Sequence, residues 1–289
     1  MRDFELVRPS SLAEAIALLD TEDGGVRAFS GGTGLMLMMK TGVFTPTSLV
    51  RLDGIEPEHA AIGIDDDGSL RIGALATLST VEHSPIVQKV APLIPEAMKR
   101  LANVRVRNAA RIGGNLAHGD PHMDLPPVLA ALHASVRAVG PDGERTIAVE
   151  DLFAGYYETV LGRGELLTQV IVPSQAGWAS VYHKCTTRSA DDWPALGVAV
   201  SLRVVDGVIA DSRLMVSAAT EKLTRLVTAE AQLKGAETKA ETFARAADAA
   251  VAEAETIDDA RGSAEYKSSL LHVYVRRALR DALSRGALQ

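Results

Sequence analysis

Cysteine is nearly absent: Cys185 is the only one in 289 residues. One thiol excludes an internal disulfide, and it excludes an iron–sulfur cluster held by this chain alone, which takes four protein ligands, mostly thiolates. Any such cluster belongs to a partner, and Cys185 itself reads as a small apolar residue. Basic residues are outnumbered, 30 Lys plus Arg against 37 Asp plus Glu, for a net charge of −7 and a pI near 5.5. That balance argues against a general affinity for phosphate backbones, so nucleic acid is not an expected partner. No apolar run approaches the ~20 residues that span a bilayer, and no membrane span is expected. The opening Met1-Arg2-Asp3-Phe4-Glu5 has no apolar secretory stretch, so a cytoplasmic protein is expected. No internal repeat and no low-complexity linker is visible.

The remaining composition, 47% apolar and 23% charged, is that of a globular chain and suggests neither disorder nor a fibrous repeat. The length suits one large domain or two ordinary ones. Residues 3–8 read as a short strand, and Ser11-Leu12-Ala13-Glu14 as a capping box that opens a helix with Leu12, Ile16 and Leu19 on one face. Val26 to Phe29 reads as a strand entering Ser30-Gly31-Gly32-Thr33-Gly34. Further strands are expected at 48–52 and 70–75, a helix from a second capping box at Ser79-Thr80-Val81-Glu82, and another over 94–101. From 104 to 127 the pattern reads mostly as loop, with the densest run of polar and glycine residues in the chain, and function is sought there first. Strands follow near 135–139, 145–149 and 166–172, and Pro173 with Ser174-Gln175-Ala176-Gly177 marks a domain junction. Beyond it, strands at 179–185, 196–205 and 208–217 suggest a meander with Asp206-Gly207 as its hairpin turn, followed by helices at 223–233, 237–256 and 264–283.

Two glycine loops stand out. Gly31-Gly32-Thr33-Gly34 follows a strand, where missing Cβ atoms let backbone N–H groups approach an anion. One version of this is a dinucleotide fold in which Gly32 and Gly34 face a pyrophosphate and Asp53 takes a ribose hydroxyl, making the chain an NAD-dependent dehydrogenase. Against it, Leu37 stands at the third glycine position, and Gly42 with Pro46 leaves no room for a crossover helix of normal length. A glycine turn without a ligand is the plainest alternative. About eighty residues on, Arg111-Ile112-Gly113-Gly114-Asn115 supplies a second glycine pair, and two such loops suggest a pyrophosphate held from both sides. Next to it, His118, Asp120, His122 and Asp124 alternate at spacing two. On an extended segment they would share a face, as the ligands of a dinuclear metal hydrolase do. Their plainer roles are a turn at Asp120-Pro121 and a helix N-cap at Asp124.

Taken in order, Ser30 to Leu35, Asn103 to Asn115, Gly119-Asp120-Pro121 with Asp124, Glu165-Leu166-Leu167, Tyr182-His183-Lys184 with Arg188, Gly262 to Tyr266 and Arg276-Arg277-Ala278 resemble the FAD-binding medium subunit of the molybdenum hydroxylases, the xanthine dehydrogenase and carbon monoxide dehydrogenase family. The resemblance covers nearly the whole chain. It implies an α+β protein: a two-part FAD-binding domain (residues 1–175) of the vanillyl-alcohol-oxidase-like type, then a smaller α+β domain (176–289) whose sheet is covered by helices. It implies an oxidoreductase subunit that takes electrons from two [2Fe–2S] clusters of a small subunit, in a complex with a molybdopterin-binding large subunit arranged as a dimer of heterotrimers. Carried over by position, Ala28, Phe29, Ser30, Gly31, Gly32, Thr33, Gly34 and Leu35 form the first loop on the FAD diphosphate, and Arg111, Ile112, Gly113, Gly114 and Asn115 the second, with Ala117 close behind. Asp124 matches a carboxylate near the flavin and ribityl chain; Leu101, Leu167 and Lys184 match positions around the isoalloxazine. Two positions depart from the family pattern. Arg111 stands where Thr or Ser is usual and either pairs with the diphosphate or crowds it. Gly34 replaces a commonly polar residue, so one side-chain contact is missing.

Overall fold

A computed structural model describes residues 2–286. The chain begins with β1 (Glu5–Val7), α1 (Leu12–Leu19), β2 (Val26–Phe29), α2 (Thr33–Thr41) and β3 (Ser48–Arg51). β4 (Ile62–Ile64), β5 (Leu70–Gly73), α3 (Leu78–His83), α4 (Pro85–Val90), α5 (Leu93–Met98), α6 (Val104–Ala109), α7 (Ile112–Ala117) and α8 (Leu125–Ala131) follow. Then come β6 (Ser135–Gly140), β7 (Gly143–Ala148), β8 (Phe153–Gly155), β9 (Glu158–Thr159) and β10 (Leu166–Val172). The remainder comprises β11 (Ala179–Cys185), β12 (Leu196–Val205), β13 (Val208–Ser217), β14 (Thr224–Arg225), α9 (Val227–Leu233), α10 (Ala240–Glu253) and α11 (Ala264–Gly286).

β1, β3 and β2 form a small parallel sheet in that order. β4, β5, β10, β6 and β7 form an antiparallel sheet of five, β8 and β9 pair separately, and β11 to β14 run in sequence as an antiparallel sheet of four. The expected meander is therefore present, with Asp206 and Gly207 both at positive φ in its turn. α2 connects the parallel neighbours β2 and β3, so the nine-residue helix that Gly42 and Pro46 were expected to forbid does form. Gly42 ends it in the left-handed region, φ 76°, instead of preventing it.

Local chemistry explains several helix starts. Ser11 Oγ accepts from the Glu14 N–H at 3.2 Å, but Glu14 Oε2 reaches past it to the Ser10 N–H at 2.7 Å, a capping box displaced by one residue. α3 starts two residues before the expected box: Thr77 is held extended by pairing with Arg111, and its hydroxyl caps the Thr80 N–H at 2.9 Å. The stretch expected as loop contains two six-residue helices. Asn103 Oδ1 accepts from the N–H groups of Arg105 and Val106 at 3.0 and 3.1 Å to start α6, and extended Ala110 separates it from α7. Likewise Thr224 and Arg225 extend the last sheet before α9 begins.

Alternation along the last sheet divides its side chains between two cores. Val198, Val200, Leu214 and Val216 pack with Phe243, Ala247, Leu271 and Val275 of α10 and α11, while Ala199 and Met215 join the cluster that holds α8, β6 and β10. The sheet is thus covered by helices on both faces, with α8 on the inner one. Met215 is fully buried there. Met215→Ala should cost about 2–5 kcal/mol of unfolding free energy in urea melts; a loss below ~1 kcal/mol would mean that the inner face is not packed as described.

Candidate functional site

The two glycine loops meet. A Cβ on Gly31 would lie 2.2 Å from the Ala109 carbonyl oxygen and 2.8 Å from Ala110 Cα, so the β2–α2 turn packs directly on the α6–α7 junction. Gly113 lies as tightly on β5's exit, where a Cβ would be 2.6 Å from Ala74 Cβ, and its N–H donates to the Ala74 carbonyl at 2.8 Å. The Ile112 N–H donates to the Ala76 carbonyl at 3.1 Å. Gly114 is different: it is exposed, and its nearest neighbour for an added Cβ is Ser30 Oγ at 3.3 Å. Gly32 caps α2 at φ 69° without a side-chain bond, and Arg111 caps α7 likewise. Among the described residues, no protein acceptor takes the N–H groups of Thr33, Gly34 or Gly114. Ala28, Phe29, Ser30 and Leu35 flank the first loop, and Ala117 lies exposed one turn after Gly114.

Two buried polar atoms beside the loops lack a protein partner. Asn115 is 8% exposed, its amide nitrogen donates to Met123 Sδ at 3.3 Å, and its Oδ1 has no donor. Arg111 Nε is buried without an acceptor. Backbone N–H groups around Ser30 and Gly114 and the Arg111 guanidinium are donors of the kind that a diphosphate takes, whereas Asn115 Oδ1 is an acceptor and suits a hydroxyl or N–H of a ligand. Position 34 also acquires a reason. An added Cβ would lie 2.7 Å from His118 Nε2, so glycine makes room for an imidazole that packs edge-on against Tyr157, ring centroids 5.2 Å apart. Burial lowers the His118 pKa, while the nearby Asp120 opposes that shift.

Farther along, Asp124 is buried beneath β11. Tyr182 donates its hydroxyl to Asp124 Oδ1 at 2.7 Å, and Lys184 Nζ donates to Oδ2 at 3.0 Å and to the Arg100 carbonyl at 2.7 Å. The expected N-cap role is absent, since Asp124 is helical (φ −79°, ψ −33°) and makes no side-chain cap. Burial raises its pKa, opposed first by the Lys184 charge and then by the Tyr182 hydrogen bond. Leu101, 5% exposed, and half-buried Leu167 pack in the same apolar cluster as Tyr182.

The alternating acids and imidazoles do not converge. Gly119 turns the chain at φ 67°, sending His118 toward Gly34 and His122 inward between two carboxylates. His122 Nδ1 is 3.0 Å from Asp120 Oδ1 and Nε2 is 2.9 Å from Asp259 Oδ2; fully buried Lys267 then donates to Asp259 at 2.8 Å and to the Ala218 carbonyl at 3.1 Å. Among the described residues no group of three or more His, Cys, Asp or Glu side chains could hold a metal ion, so the metal-hydrolase reading has no site. The NAD-dehydrogenase reading fares no better, because Asp53 is engaged by the Arg51 guanidinium, which lowers its pKa, and the parallel sheet stops at three strands.

Residues 2–175 match the family model for the FAD binding domain in molybdopterin dehydrogenase, and residues 181–282 match the CO dehydrogenase flavoprotein C-terminal domain. The chain belongs to the FAD-binding subunits of the molybdenum hydroxylases. As an oxidoreductase subunit of that family its cofactor is FAD, and the donor set around the two loops fits it. It is 36% identical over 288 residues to the carbon monoxide dehydrogenase medium chain of Hydrogenophaga pseudoflava, covering 98% of each chain. It is 34% identical to the nicotine 6-hydroxylase medium subunit of Paenarthrobacter nicotinovorans, covering 96% of each. Against the solved carbon monoxide dehydrogenase from H. pseudoflava, the TM-score is 0.94 with 98% of each chain covered. Sequence reasoning misses most partners of the 118–124 stretch in this flavoprotein subunit: Tyr182 figures only in the stretch that carries the family resemblance, and Asp259 and Lys267 not at all.

Removing one member of a buried ion pair costs about 3–5 kcal/mol. Lys267→Met should lower stability by that amount in urea unfolding, and a change under ~1 kcal/mol would contradict the pairing. Burial alone would raise the Asp259 carboxyl, but the hydrogen bonds from Lys267 and His122 outweigh it and hold it at about 2. A depressed carboxyl gives stability that is complete above its unfolded value of about 3.9 and is lost as pH falls toward 2. The parent should therefore lose stability over that window more steeply than Asp259→Asn.

Proposed function

We propose that this chain is the electron-transfer subunit of a molybdenum hydroxylase complex, with the FAD diphosphate held between residues 28–35 and 111–117. The observation that carries the reading is the packing of two glycine turns on one another with the N–H groups of Thr33, Gly34 and Gly114 left unpaired. Bound FAD supplies the capacity to accept electrons singly from a cluster and release them as a pair. The protein's part is positioning: backbone donors and Arg111 on the diphosphate, Asp124 as acceptor near the ribityl chain and ring, and Leu101, Leu167 and Lys184 around the isoalloxazine.

In this reading a small subunit carries the two [2Fe–2S] clusters, a large subunit carries molybdopterin, and the complex is a cytoplasmic dimer of heterotrimers that delivers electrons to an external acceptor. One cysteine in the chain agrees with clusters on a partner. Among the described residues no helix is long and apolar enough to cross a membrane. The division at residue 175 is proposed as the boundary between the flavin-holding part and a C-terminal part whose β11 closes over Asp124.

Gly114→Val tests the cradle. Gly114 has negative φ and meets only Ser30 Oγ, so a side chain there should leave folding intact while blocking close backbone approach. FAD affinity, titrated by flavin fluorescence, should fall at least tenfold; unchanged affinity would remove the second loop. Gly32→Val is a poorer probe, since φ 69° strains any β-branched residue.

Arg111→Ala should weaken FAD by roughly 10- to 100-fold, the equivalent of one charge-assisted hydrogen bond of about 1.5–3 kcal/mol. Binding as tight as the parent in both Arg111→Ala and Arg111→Thr would place the guanidinium off the phosphate. The isolated chain loaded with FAD should bleach with dithionite and not with any organic hydroxylase substrate. Bleaching by such a substrate without other subunits would mark a self-contained oxidase instead.

A further inference from the structure

Tyr182 and Lys184 are two residues apart on β11, so their side chains leave the same face of the strand. They divide one carboxylate between them: the Tyr182 hydroxyl takes Asp124 Oδ1 and the Lys184 ammonium takes Oδ2. Across the sheet, Lys184 is opposite Gly197, and a Cβ at that glycine would lie 2.8 Å from the Tyr182 hydroxyl oxygen and 2.5 Å from Ser217 Oγ. Glycine at 197 thus leaves the space that the phenol occupies. A carboxylate offers about four acceptor directions, so two protein donors fix its plane and leave two directions for an outside donor. We propose that Tyr182 is a positioning residue of the flavin site, holding Asp124 in the one orientation from which it accepts from bound FAD. This rests on the reading above that Asp124 adjoins the flavin.

Tyr182 also acts on ionisation. Burial pushes the Asp124 carboxyl up, and only Lys184 and Tyr182 push it down. Loss of the hydroxyl leaves Oδ1 buried with no donor, so the proton enters at higher pH and the acceptor becomes a neutral acid. The other charged groups nearby are already engaged or more remote: Arg107 of α6 is paired with Glu82 at 2.9 Å, and Asp191, in the loop after β11, interacts with Lys184 and Arg107 only through its charge.

The test uses the full chain, stripped of flavin and titrated with FAD between pH 6 and pH 9, with thermal midpoints recorded with and without FAD. The parent supplies the reference profile against which the variants are read. Asp124→Asn should bind at least tenfold more weakly throughout, and parent-like binding would remove Asp124 from the flavin site and the reading with it. Tyr182→Phe should lose about tenfold in affinity at the acid end and recover toward the parent at the alkaline end. A Tyr182→Phe protein that follows the parent at every pH, while Asp124→Asn is weakened, overturns the positioning role and leaves the flavin assignment standing. A merely structural tyrosine would lower both midpoints equally and leave the pH profile as in the parent, which also overturns it. Should Tyr182→Phe fail to fold, Gly197→Ala displaces the hydroxyl without deleting it and should produce the same acid-end loss relative to the parent; a profile that follows the parent counts against the proposal equally.

Discussion

The contact between Gly31 and the Ala109 carbonyl is the constraint on which the site depends. At 2.2 Å from an ideal Cβ, no side chain fits between the β2–α2 turn and the α6–α7 junction. Everything near it follows the same close spacing. Gly113 presses on Ala74, Thr77 pairs with Arg111, and the N–H groups of Ile112 and Gly113 are spent on the carbonyls of Ala76 and Ala74. Those bonds hold a six-residue helix that contains two adjacent glycines and would not persist alone, since nucleation is unfavourable and each glycine weakens the helix by about 1 kcal/mol. The anchors fall on the first two N–H groups of α7, so the unpaired donor that remains is that of Gly114, on the exposed side.

A second constraint is the disposal of charge in the 118–124 stretch. Asp120, His122 and Asp124 are each about 5% exposed or less, a placement that requires hydrogen-bonded partners. The partners come from β11 and from the segment entering α11, so the loop beside the proposed cradle is fixed by residues from the far end of the chain. Two carboxylates in one loop are thereby driven in opposite directions. Asp120 is held low by the His122 bonds in spite of burial, whereas Asp124 is held high by burial in spite of Lys184.

Much of this was legible in the sequence, for reasons that differ by element. The strands at 135–139, 166–172 and 179–217 alternate and are bounded by turn residues, and both glycine loops announce themselves through residues that only a close approach requires. The helices α6 and α7 were not legible, because each is six residues long and is stabilised by bonds to β5's exit and to Asn103, not by any periodic face. The meaning of His118-x-Asp120-x-His122-x-Asp124 was not legible either. Spacing of two suggests one face only if the segment is extended, and Gly119 at φ 67° breaks that condition. What separates an ion-pair network from a metal site is the identity of the partners, and these lie 60 residues away for Lys184 and 137 for Asp259.

The two departures from the family pattern illustrate how a local loss is read through the tertiary structure. Glycine at 34 removes a polar side chain from the first loop, and in isolation that is a missing contact. In the fold, the His118 ring occupies the volume where that side chain would begin, and Tyr157 backs the ring from its other side. Gly34 and His118 are therefore one packing unit: a larger residue at 34 requires the imidazole to move, and its movement disturbs Tyr157, whose N–H is bound to the Gly119 carbonyl at 3.0 Å. Arginine at 111 adds rather than removes. Its backbone performs the same pairing with Thr77 that any residue would, and its side chain, whose charge also helps to lower the Asp53 carboxyl, has Nε buried and without an acceptor. A buried donor left unpaired is unfavourable by about 1–3 kcal/mol. The proposed diphosphate site would give that donor an acceptor.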